Sequence, residues 1–494
     1  MNAERRRFLW VAGAALAAGL LLRLWFVRHQ ALVTGDSLLY GDIAKNLLQH
    51  GVYGFTEAGR LPGSIVARPT LIRLPGYPIF LALCFRLFGM DHYGAAMYVQ
   101  VAVDLATCWL ASALAGRLFG RRAALAVLWL AALCPFTANY VAAPLTETLT
   151  LNAIALVFYG FVRWQQAGCS FNRWLWVVGA ALGWSILLRP EQGLLAAAVL
   201  PAMGFAARRL RGEWSAASQN RGHRLRITAL PVLAAALCAV LPLAPWTARN
   251  WHTFHRFEPL APRDASDPGE LDPVGFNRWF RSWGVEFKST EDVYWNYSGY
   301  PILLGDLPPR AFDAGPASAE SRAETTSLLA DYNKTMVVTP AIDARFAALA
   351  RVRIRAHPIL YSVFLPVARL VDMTLRPRTE LMPAPLDWWR WGAHRGQTEF
   401  AWVYVALNLA YIVAGIAGFF AWRRRRWLTC ATAEADSHIF RELAWAMAAS
   451  ILLRAALLLT LDNSEPRYTL EFFPVLFVFA GALFAERKGR VNKG

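Results

Sequence analysis

Long apolar segments recur along this chain from residue 8 to residue 484, and they constrain its fold more than any other feature. An apolar run of about 20 residues can cross a bilayer as an α-helix. Because lipid offers the backbone no hydrogen-bond partners, each run must satisfy its own bonds as a helix, and runs without alternating polarity argue against a β-barrel. Hydrophobic residues make up 56% of the sequence, above the roughly 45–50% of soluble domains. The sequence therefore predicts an all-α polytopic membrane protein.

We predict about ten membrane-spanning helices, with the amino terminus in the cytoplasm and the first span retained as an anchor. Two other apolar stretches, 75–88 and 354–375, are predicted to be helices in the outer interface, because the first is short and the second contains two prolines, Arg369 and Asp372. The predicted spans are residues 8–27, 94–118, 123–141, 148–164, 174–188, 193–207, 227–246, 402–422, 439–461 and 468–484.

This topology predicts three parts. Residues 1–248 form an N-terminal transmembrane module with a first outer loop at 29–93, residues 249–399 an extracytoplasmic loop region with an interfacial helix, and residues 400–494 the C-terminal transmembrane helices. In the first loop, apolar spacing predicts an amphipathic helix from about residue 36 to residue 50, ended by Gly51. The large loop shows no clear helix or strand pattern.

Positive charge lies just outside the apolar segments. The net charge of +17 could indicate nucleic-acid binding, but acidic residues outnumber basic ones between 258 and 343. The arginine clusters instead flank the spans, where the positive-inside rule places cytoplasmic loops. We therefore expect a multi-pass protein of a bacterial inner membrane, with both termini cytoplasmic and no nucleic-acid partner. The clusters lie at 5–7, 117–122, 208–226, 423–426 and 487–493.

The six cysteines carry no recognisable metal or redox motif. Most lie inside apolar segments, and the sequence contains neither a CxxC pair nor His and Cys at zinc-finger spacing. They are interpreted as packing residues. We expect no cofactor and no obligatory metal, with a divalent ion at the outer site left as an alternative.

Polar residues gather at the outer ends of the predicted spans. Charged groups at this depth are costly, and they usually face a cavity or each other. Their placement on one membrane face predicts a single site there. The residues are Asp36, Asp42, Arg68, Arg73, Glu147, Arg189, Glu191, Arg249 and Arg467.

Each of these residues also has a structural interpretation. Asp36 could cap the helix that it opens, and Glu147 could favour a helix dipole. Asp42 could be an ordinary residue of a polar face, and Arg189 could simply pair with Glu191. Arg73, like the other two interfacial arginines at 249 and 467, could extend its side chain to the membrane surface. These alternatives stay open at the level of sequence.

Carboxylates beside arginines at a membrane surface suit the transfer of a sugar from a lipid phosphate. The arginines can bind the departing phosphate, and a carboxylate can take the proton from an attacking hydroxyl. One such displacement inverts the anomeric centre. The sequence contains no Walker A motif and no GxGxxG following a strand, so no nucleotide site is indicated.

A series of short motifs resembles the GT-C superfamily of membrane glycosyltransferases. The resemblance is closest to bacterial relatives of the protein O-mannosyltransferases and of the lipid A aminoarabinose transferase, and it covers most of the chain outside the large loop. The motifs are GDSLLY at 35–40, AKNLL at 44–48, GVYGF at 51–55, RLPGYP at 73–78, LFG at 87–89, LTE at 145–147, LRP at 188–190, PWTARN at 245–250 and EPRY at 465–468.

This resemblance implies roles for particular residues. In such enzymes an Asp of the first outer loop acts as the base, which corresponds to Asp36, and a second acid corresponds to Glu147. Phosphate contacts would come from Arg73, Arg249 and Arg467. Tyr40, Arg68 and Arg189 are further predicted substrate-binding residues. Many relatives have Glu directly after the first Asp, whereas this chain has Ser37.

The sequence thus predicts a glycosyltransferase for a hexosyl or pentosyl group, with a polyprenyl-phosphate sugar as donor and an extracytoplasmic protein, lipid or glycan as acceptor. Two alternatives remain. A transporter or flippase of lipid-linked sugars would carry polar or helix-breaking residues near mid-membrane. A lipid-linked oligosaccharide polymerase or ligase would use a diphosphate-linked donor.

Overall fold

The computed structural model describes residues 3–58, 65–214, 221–262, 266–392, 394–430 and 440–485, and most of them are helical. The strands are β1 (Gly54–Ala58) and β2 (Ile65–Pro69). The helices are α1 (Ala3–His29), α2 (Gly35–His50), α3 (Gly76–Phe88), α4 (Tyr93–Phe119), α5 (Arg121–Ala132), α6 (Pro135–Ala138), α7 (Glu147–Gln166), α8 (Arg173–Leu188), α9 (Gly193–Trp214), α10 (Arg221–Val240), α11 (Leu243–Phe254), α12 (Val274–Arg281), α13 (Phe287–Ser289), α14 (Ser318–Thr335), α15 (Pro340–Ala356), α16 (Leu365–Leu375), α17 (Arg395–Cys430), α18 (Arg441–Leu458) and α19 (Phe473–Gly481).

Several of these helices can cross a membrane, so the predicted all-α polytopic class is confirmed. Three bent helix pairs would each add a span and raise the total to eight, below the predicted number of about ten. The predicted spans 148–164 and 174–188 are helical, and the described part of 439–461 contains α18, but these helices are shorter or more polar than the others. Within the described residues, the five helices that are individually long and apolar enough are Ala3–His29, Tyr93–Phe119, Pro190–Leu210, Arg395–Arg424 and Pro466–Phe484.

Proline lies at or next to the break in each bent pair. The bends are 50° before Pro135, 42° at Pro242 and 105° near Pro358. Proline lacks an N–H donor and disfavours helical backbone in the residue before it, so the helix is interrupted there. The stretch 354–375, predicted as one interfacial helix, thus contains the sharpest bend, and most of it forms the second arm, Leu360–Leu375.

The chain divides into two compact units. The first unit comprises Met1–Ala265, Ala410–Leu453 and Leu470–Gly494, and the second comprises Ser266–Leu409 and Arg454–Thr469. The predicted division at 248 and 399 remains a prediction.

A buried ion pair joins three helices of the first unit. Arg23 of α1 donates to Asp104 of α4, with Nε and Oδ2 2.7 Å apart, and its Nη1 donates to the carbonyl of Ala132 in α5 at 2.7 Å. A methyl group on Gly19 would lie 2.9 Å from the Cβ of Ala132, so glycine permits this close approach of α1 to α5. The pair therefore fixes the packing of α1 in the bundle.

Helix α2 lies where the sequence predicts it. Thr34 is its N-cap and accepts a hydrogen bond from the N–H of Ser37, while the Ser37 hydroxyl accepts from the N–H of Thr34, which forms a capping box. Gly51 ends the helix in the left-handed conformation, with φ of +66°. The buried face of α2 packs against Tyr77 and Leu81 of α3.

The antiparallel hairpin of β1 and β2 follows α2 and has no counterpart in the sequence prediction. Gly54 pairs with Pro69 at its base, where a Cβ on Gly54 would lie 2.1 Å from the Arg68 carbonyl oxygen. Each strand has only five residues and is largely exposed, so the pattern of buried and exposed positions is too short to predict it. The hairpin places the loop that follows it beside α2.

The second unit contains a helical core, although the sequence predicted no clear helices for the large loop. Helices α12, α14 and α15 surround the buried aromatic side chains of Phe276, Trp279 and Phe346. Asp343 of α15 accepts hydrogen bonds from the N–H groups at the start of α12, including that of Phe276 at 2.9 Å. The aromatic residues are therefore part of the core of this unit.

Candidate active site

Asp36 lies in the first turn of α2 and contacts Arg73. Its Oδ1 accepts a hydrogen bond from Arg73 Nη2 at 3.2 Å. Because Thr34 is the N-cap, the alternative in which Asp36 caps the helix is wrong. The two side chains are 24% and 26% exposed, so this ion pair remains open to a ligand. Ser37 is buried in the capping box, which leaves Asp36 as the carboxylate of this turn.

Hydrogen bonds from Tyr53 and Arg249 hold the hairpin and the loop that follows it, which carries Arg73. The Tyr53 hydroxyl donates to the carbonyl of Arg73 at 2.9 Å. Arg249 of α11 donates to the carbonyls of Thr70 at 2.7 Å and of Tyr53 at 2.6 Å, and its guanidinium lies 5.3 Å from the ring centre of Trp246. Arg249 thus has a structural role here, and the predicted phosphate contact remains a prediction.

A second group of charged residues in the first unit is centred on Arg189, which follows the last residue of α8. Its Nη1 donates to Glu147 Oε1 at 3.1 Å and its Nε to Glu191 Oε1 at 2.8 Å. Glu471 Oε1 lies 3.5 Å from the same Nε, and Gln192 donates to the other oxygen of Glu471. We call these five residues the Arg189 cluster. It brings together the predicted Glu147 and Arg189 and adds two residues that the sequence analysis missed.

Tyr40 interacts electrostatically with both groups. Burial raises the pKa of its hydroxyl to about 12, with smaller electrostatic effects from Arg73 and Asp36 and then from Glu147 and Arg189. All four charged groups are therefore within electrostatic range of the Tyr40 hydroxyl. At neutral pH this hydroxyl is protonated and can donate a hydrogen bond into the space between them.

Two predicted residues of the first loop have local partners instead. Arg68 of β2 forms an ion pair with Glu57 of β1, with Nε and Oε1 2.5 Å apart. Asp42 accepts hydrogen bonds from the backbone and the hydroxyl of Thr56, at 2.7 Å and 2.6 Å, and so fastens α2 to the hairpin. The structural interpretation of Asp42 agrees with these contacts.

Arg467 belongs to the second unit. Its Nε lies 3.6 Å from Oε1 of Glu465, and Trp295 donates to the other oxygen of that carboxylate at 3.4 Å. Burial raises the pKa of Glu465 to about 7, against the opposing effect of Arg467. Nearby, Arg378 donates to the Pro466 carbonyl at 3.0 Å, which holds the backbone of the EPRY motif.

The residues missed by the sequence analysis had a detectable signal. Glu471 and Asp104 are carboxylates within apolar segments, where an ionisable group has either a partner or a function. Their partners, Arg189 and Arg23, are far away in sequence, and spacing does not identify them. Among the described residues, no group of three His, Cys, Asp or Glu side chains is arranged to hold a metal ion, and the absence of a metal stays a prediction.

Part of the chain matches a known protein family. Residues 68–246 match the family model of the dolichyl-phosphate-mannose-protein mannosyltransferases. The predicted resemblance is confirmed over this region. It includes Arg73, Glu147 and Arg189, whereas Asp36 lies before it and Arg249 after it. A comparison with functionally curated proteins gave no match.

Several solved structures of membrane enzymes overlap nearly the whole chain. The oligosaccharyltransferase of Archaeoglobus fulgidus, tethered to an acceptor peptide, matches with 11% identity and a TM-score of 0.48, over 96% of this chain and 49% of its own. ArnT from Cupriavidus metallidurans, bound to undecaprenyl phosphate, matches with 16% identity and a TM-score of 0.34, over 96% and 77%. The chain therefore spans about half the length of the archaeal enzyme. Similarity at this level does not establish a shared function.

Proposed function

We propose that this protein is an integral membrane glycosyltransferase of the GT-C type, which transfers a sugar from a polyprenyl-phosphate donor to an acceptor on the extracytoplasmic face. The observation that supports this most is the partly exposed ion pair of Asp36 and Arg73, in the loop that follows the first apolar helix. A carboxylate and a guanidinium in contact can serve a nucleophile and a departing phosphate at the same time. The family match over residues 68–246 supports the same class of donor.

In the proposed reaction, Asp36 is the general base. Its carboxylate takes the proton of an acceptor hydroxyl, whose oxygen attacks the anomeric carbon of the sugar. The bond from that carbon to the phosphate oxygen breaks, and the polyprenyl phosphate leaves as an anion. Arg73 stabilises this anion through charge-assisted hydrogen bonds. A single displacement inverts the configuration of the sugar.

The Arg189 cluster would support this chemistry from the other side of Tyr40. Glu147 is 4% exposed and contacts Arg189, so it acts as a positioning residue that orients the guanidinium. Because three carboxylates surround Arg189, the cluster has no excess positive charge to offer, and the substrate contact predicted for Arg189 stays a prediction. In this proposal the protonated Tyr40 hydroxyl donates a hydrogen bond to the donor. The steps of this proposed reaction use only these side chains and the two substrates.

The test is turnover of a panel of radiolabelled polyprenyl-phosphate sugars by the purified full-length protein. We expect wild type to release polyprenyl phosphate and to give a product of inverted configuration by NMR, and Asp36→Asn to lose turnover while still binding donor. Asp42→Asn is the matched control. It also removes a carboxylate from α2, but the hydrogen bonds of that carboxylate go to Thr56 of the neighbouring hairpin.

Three outcomes would contradict the proposal. Equal turnover by wild type and Asp36→Asn would assign the base to another residue. Turnover only with a diphosphate-linked oligosaccharide would favour a polymerase or ligase. Movement of labelled donor across a proteoliposome without any cleavage would favour a transporter or flippase.

A further inference from the structure

A cavity lies in the first unit, between α9, α17 and α18. It has a volume of about 1050 Å³. Part of its wall is apolar, formed by Phe205, Trp422 and Trp445, and two of these side chains are largely exposed. Exposed aromatic side chains on membrane helices contact lipid, so this wall suits an acyl chain.

The remainder of the wall is strongly basic. Arg208 and Arg209 of α9, Arg423 of α17 and Arg441 of α18 line the cavity, against the single carboxylate of Glu442. These lining residues therefore carry four positive charges and one negative charge, a net charge of +3. An anionic ligand would balance the excess positive charge of these residues.

Arg209 has unused hydrogen-bonding capacity at this cavity. Its Nη2 lies 3.2 Å from Glu442 Oε2, but the orientation is not that of a hydrogen bond. Among the described residues, none of its three side-chain nitrogens has a hydrogen-bond partner, and all three are shielded from solvent. A buried donor without a partner is costly, and a bound oxyanion would satisfy it.

This cavity is separate from the candidate active site. Helix α9 begins at Gly193, next to Gln192 of the Arg189 cluster, whereas Arg209 lies sixteen residues further along the same helix. At a rise of 1.5 Å per residue the two ends are about 24 Å apart. The positive-inside rule assigns the arginine end to the cytoplasmic side.

We propose that this cavity binds an anionic phospholipid with two phosphate groups, of the cardiolipin class, from the cytoplasmic leaflet. Two phosphodiesters offset the positive charge of the lining better than one, and arginines from three helices can contact both. Basic pockets between membrane helices on the cytoplasmic side bind such head groups. The bound lipid bridges α9, α17 and α18, and so stabilises their packing at this end of the first unit.

The test is a lipid titration of delipidated full-length protein in detergent, followed by native mass spectrometry. We expect cardiolipin to bind more tightly than phosphatidylglycerol or undecaprenyl phosphate, and phosphatidylcholine to bind least. The double variant Arg423→Gln/Arg441→Gln should bind cardiolipin about tenfold more weakly. Because both arginine side chains are exposed, the double variant should fold normally. Thermal unfolding of the lipid-free protein checks this.

Arg424→Gln is the matched control. Arg424 lies on the same helix next to Arg423 and is exposed, but it does not line the cavity. We expect its cardiolipin affinity to equal that of wild type. An equal loss in Arg424→Gln, or no loss in the double variant, would overturn the proposed site. Equal affinity for phosphatidylglycerol, or tighter binding of undecaprenyl phosphate, would overturn the two-phosphate head group.

Discussion

Two of the arginine–carboxylate pairs in the first unit differ sharply in their surroundings. Arg23 and Asp104 are 0% and 2% exposed, and the Arg23 guanidinium also bonds to backbone carbonyls of α1 and α5. Asp36 and Arg73 are about a quarter exposed, and their contact of 3.2 Å is longer. Both pairs consist of the same chemical groups, one sealed within the bundle and the other at the start of a loop helix.

The difference indicates which pair is structural and which is available for chemistry. A buried pair is desolvated, so each charge depends on its partner and cannot exchange it for a ligand. A partly exposed pair contributes little to stability, because water compensates for its loss. The contact between Asp36 and Arg73 can therefore be replaced at small cost, as the proposed reaction requires, whereas the Arg23 pair is fixed.

The largest expected effect is on catalysis by Asp36→Asn. We expect turnover to fall about 1000-fold, as for loss of a general base, while unfolding free energy changes by less than about 1 kcal/mol. Asp104→Asn should show the opposite profile, with lower stability and normal turnover per folded molecule. Donor turnover and thermal unfolding, measured on the same preparations, check both. Similar losses of stability in the two variants would remove the distinction between the pairs.

The next effect concerns stability. Arg23→Met leaves the Asp104 carboxylate buried without its main partner, which we expect to cost about 3–5 kcal/mol. The double variant Arg23→Met/Asp104→Leu removes both charges and should recover much of the loss. Reversible unfolding in detergent measures this. A double variant no more stable than the single one would mean that the carbonyl contacts of Arg23, rather than its charge, hold α1 in place.

Arg73→Gln should raise the KM for the lipid donor and lower kcat/KM about 10- to 100-fold, because a charge-assisted contact to phosphate is lost. Arg73→Lys should recover part of the activity by restoring the charge without the bidentate geometry. Arg68→Gln is the control, since Arg68 pairs with Glu57 across the hairpin. A comparable loss in Arg68→Gln would indicate that the whole loop, and not Arg73 itself, is needed.

The smallest effect is expected for Tyr40→Phe, about fivefold in kcat/KM, the value of one hydrogen bond. Because burial raises the pKa of Tyr40 to about 12, its hydroxyl is protonated below that pH and contributes a constant donor. The pH–rate profiles of wild type and Tyr40→Phe should therefore run parallel from about pH 6 to about pH 10. Loss of an alkaline limb in the variant would show that the hydroxyl titrates in this range.

The sequence predicted those parts of the fold that depend on local pattern. Helix α2 and its terminating Gly51 follow from apolar spacing and glycine conformation, and the motif order placed Asp36 and Arg73 in one loop. The contact between Asp36 and Arg73, 37 residues apart, was not predicted, although both residues were assigned to one site. The same reasoning brought Glu147 and Arg189 to one membrane face without predicting that they touch.

The remainder depends on distant contacts. Gln192 and Glu471 are 279 residues apart, so neither periodicity nor spacing connects them. Helices α12 and α15 were not predicted because the large loop shows no clear helix pattern, and the packing of Trp279 against Phe346 in a core depends on residues far apart in sequence. Short exposed strands such as β1 also carry too little pattern to be recognised.

Arg249 has a mechanical consequence for the loop that it braces. Its guanidinium donates hydrogen bonds to the carbonyls of Tyr53, just before β1, and of Thr70, just after β2. The Tyr53 hydroxyl in turn donates to the carbonyl of Arg73. Rotation of α11 about its axis must therefore carry the hairpin and Arg73 with it. Any displacement of α11 would therefore reach the Asp36–Arg73 pair through a single guanidinium.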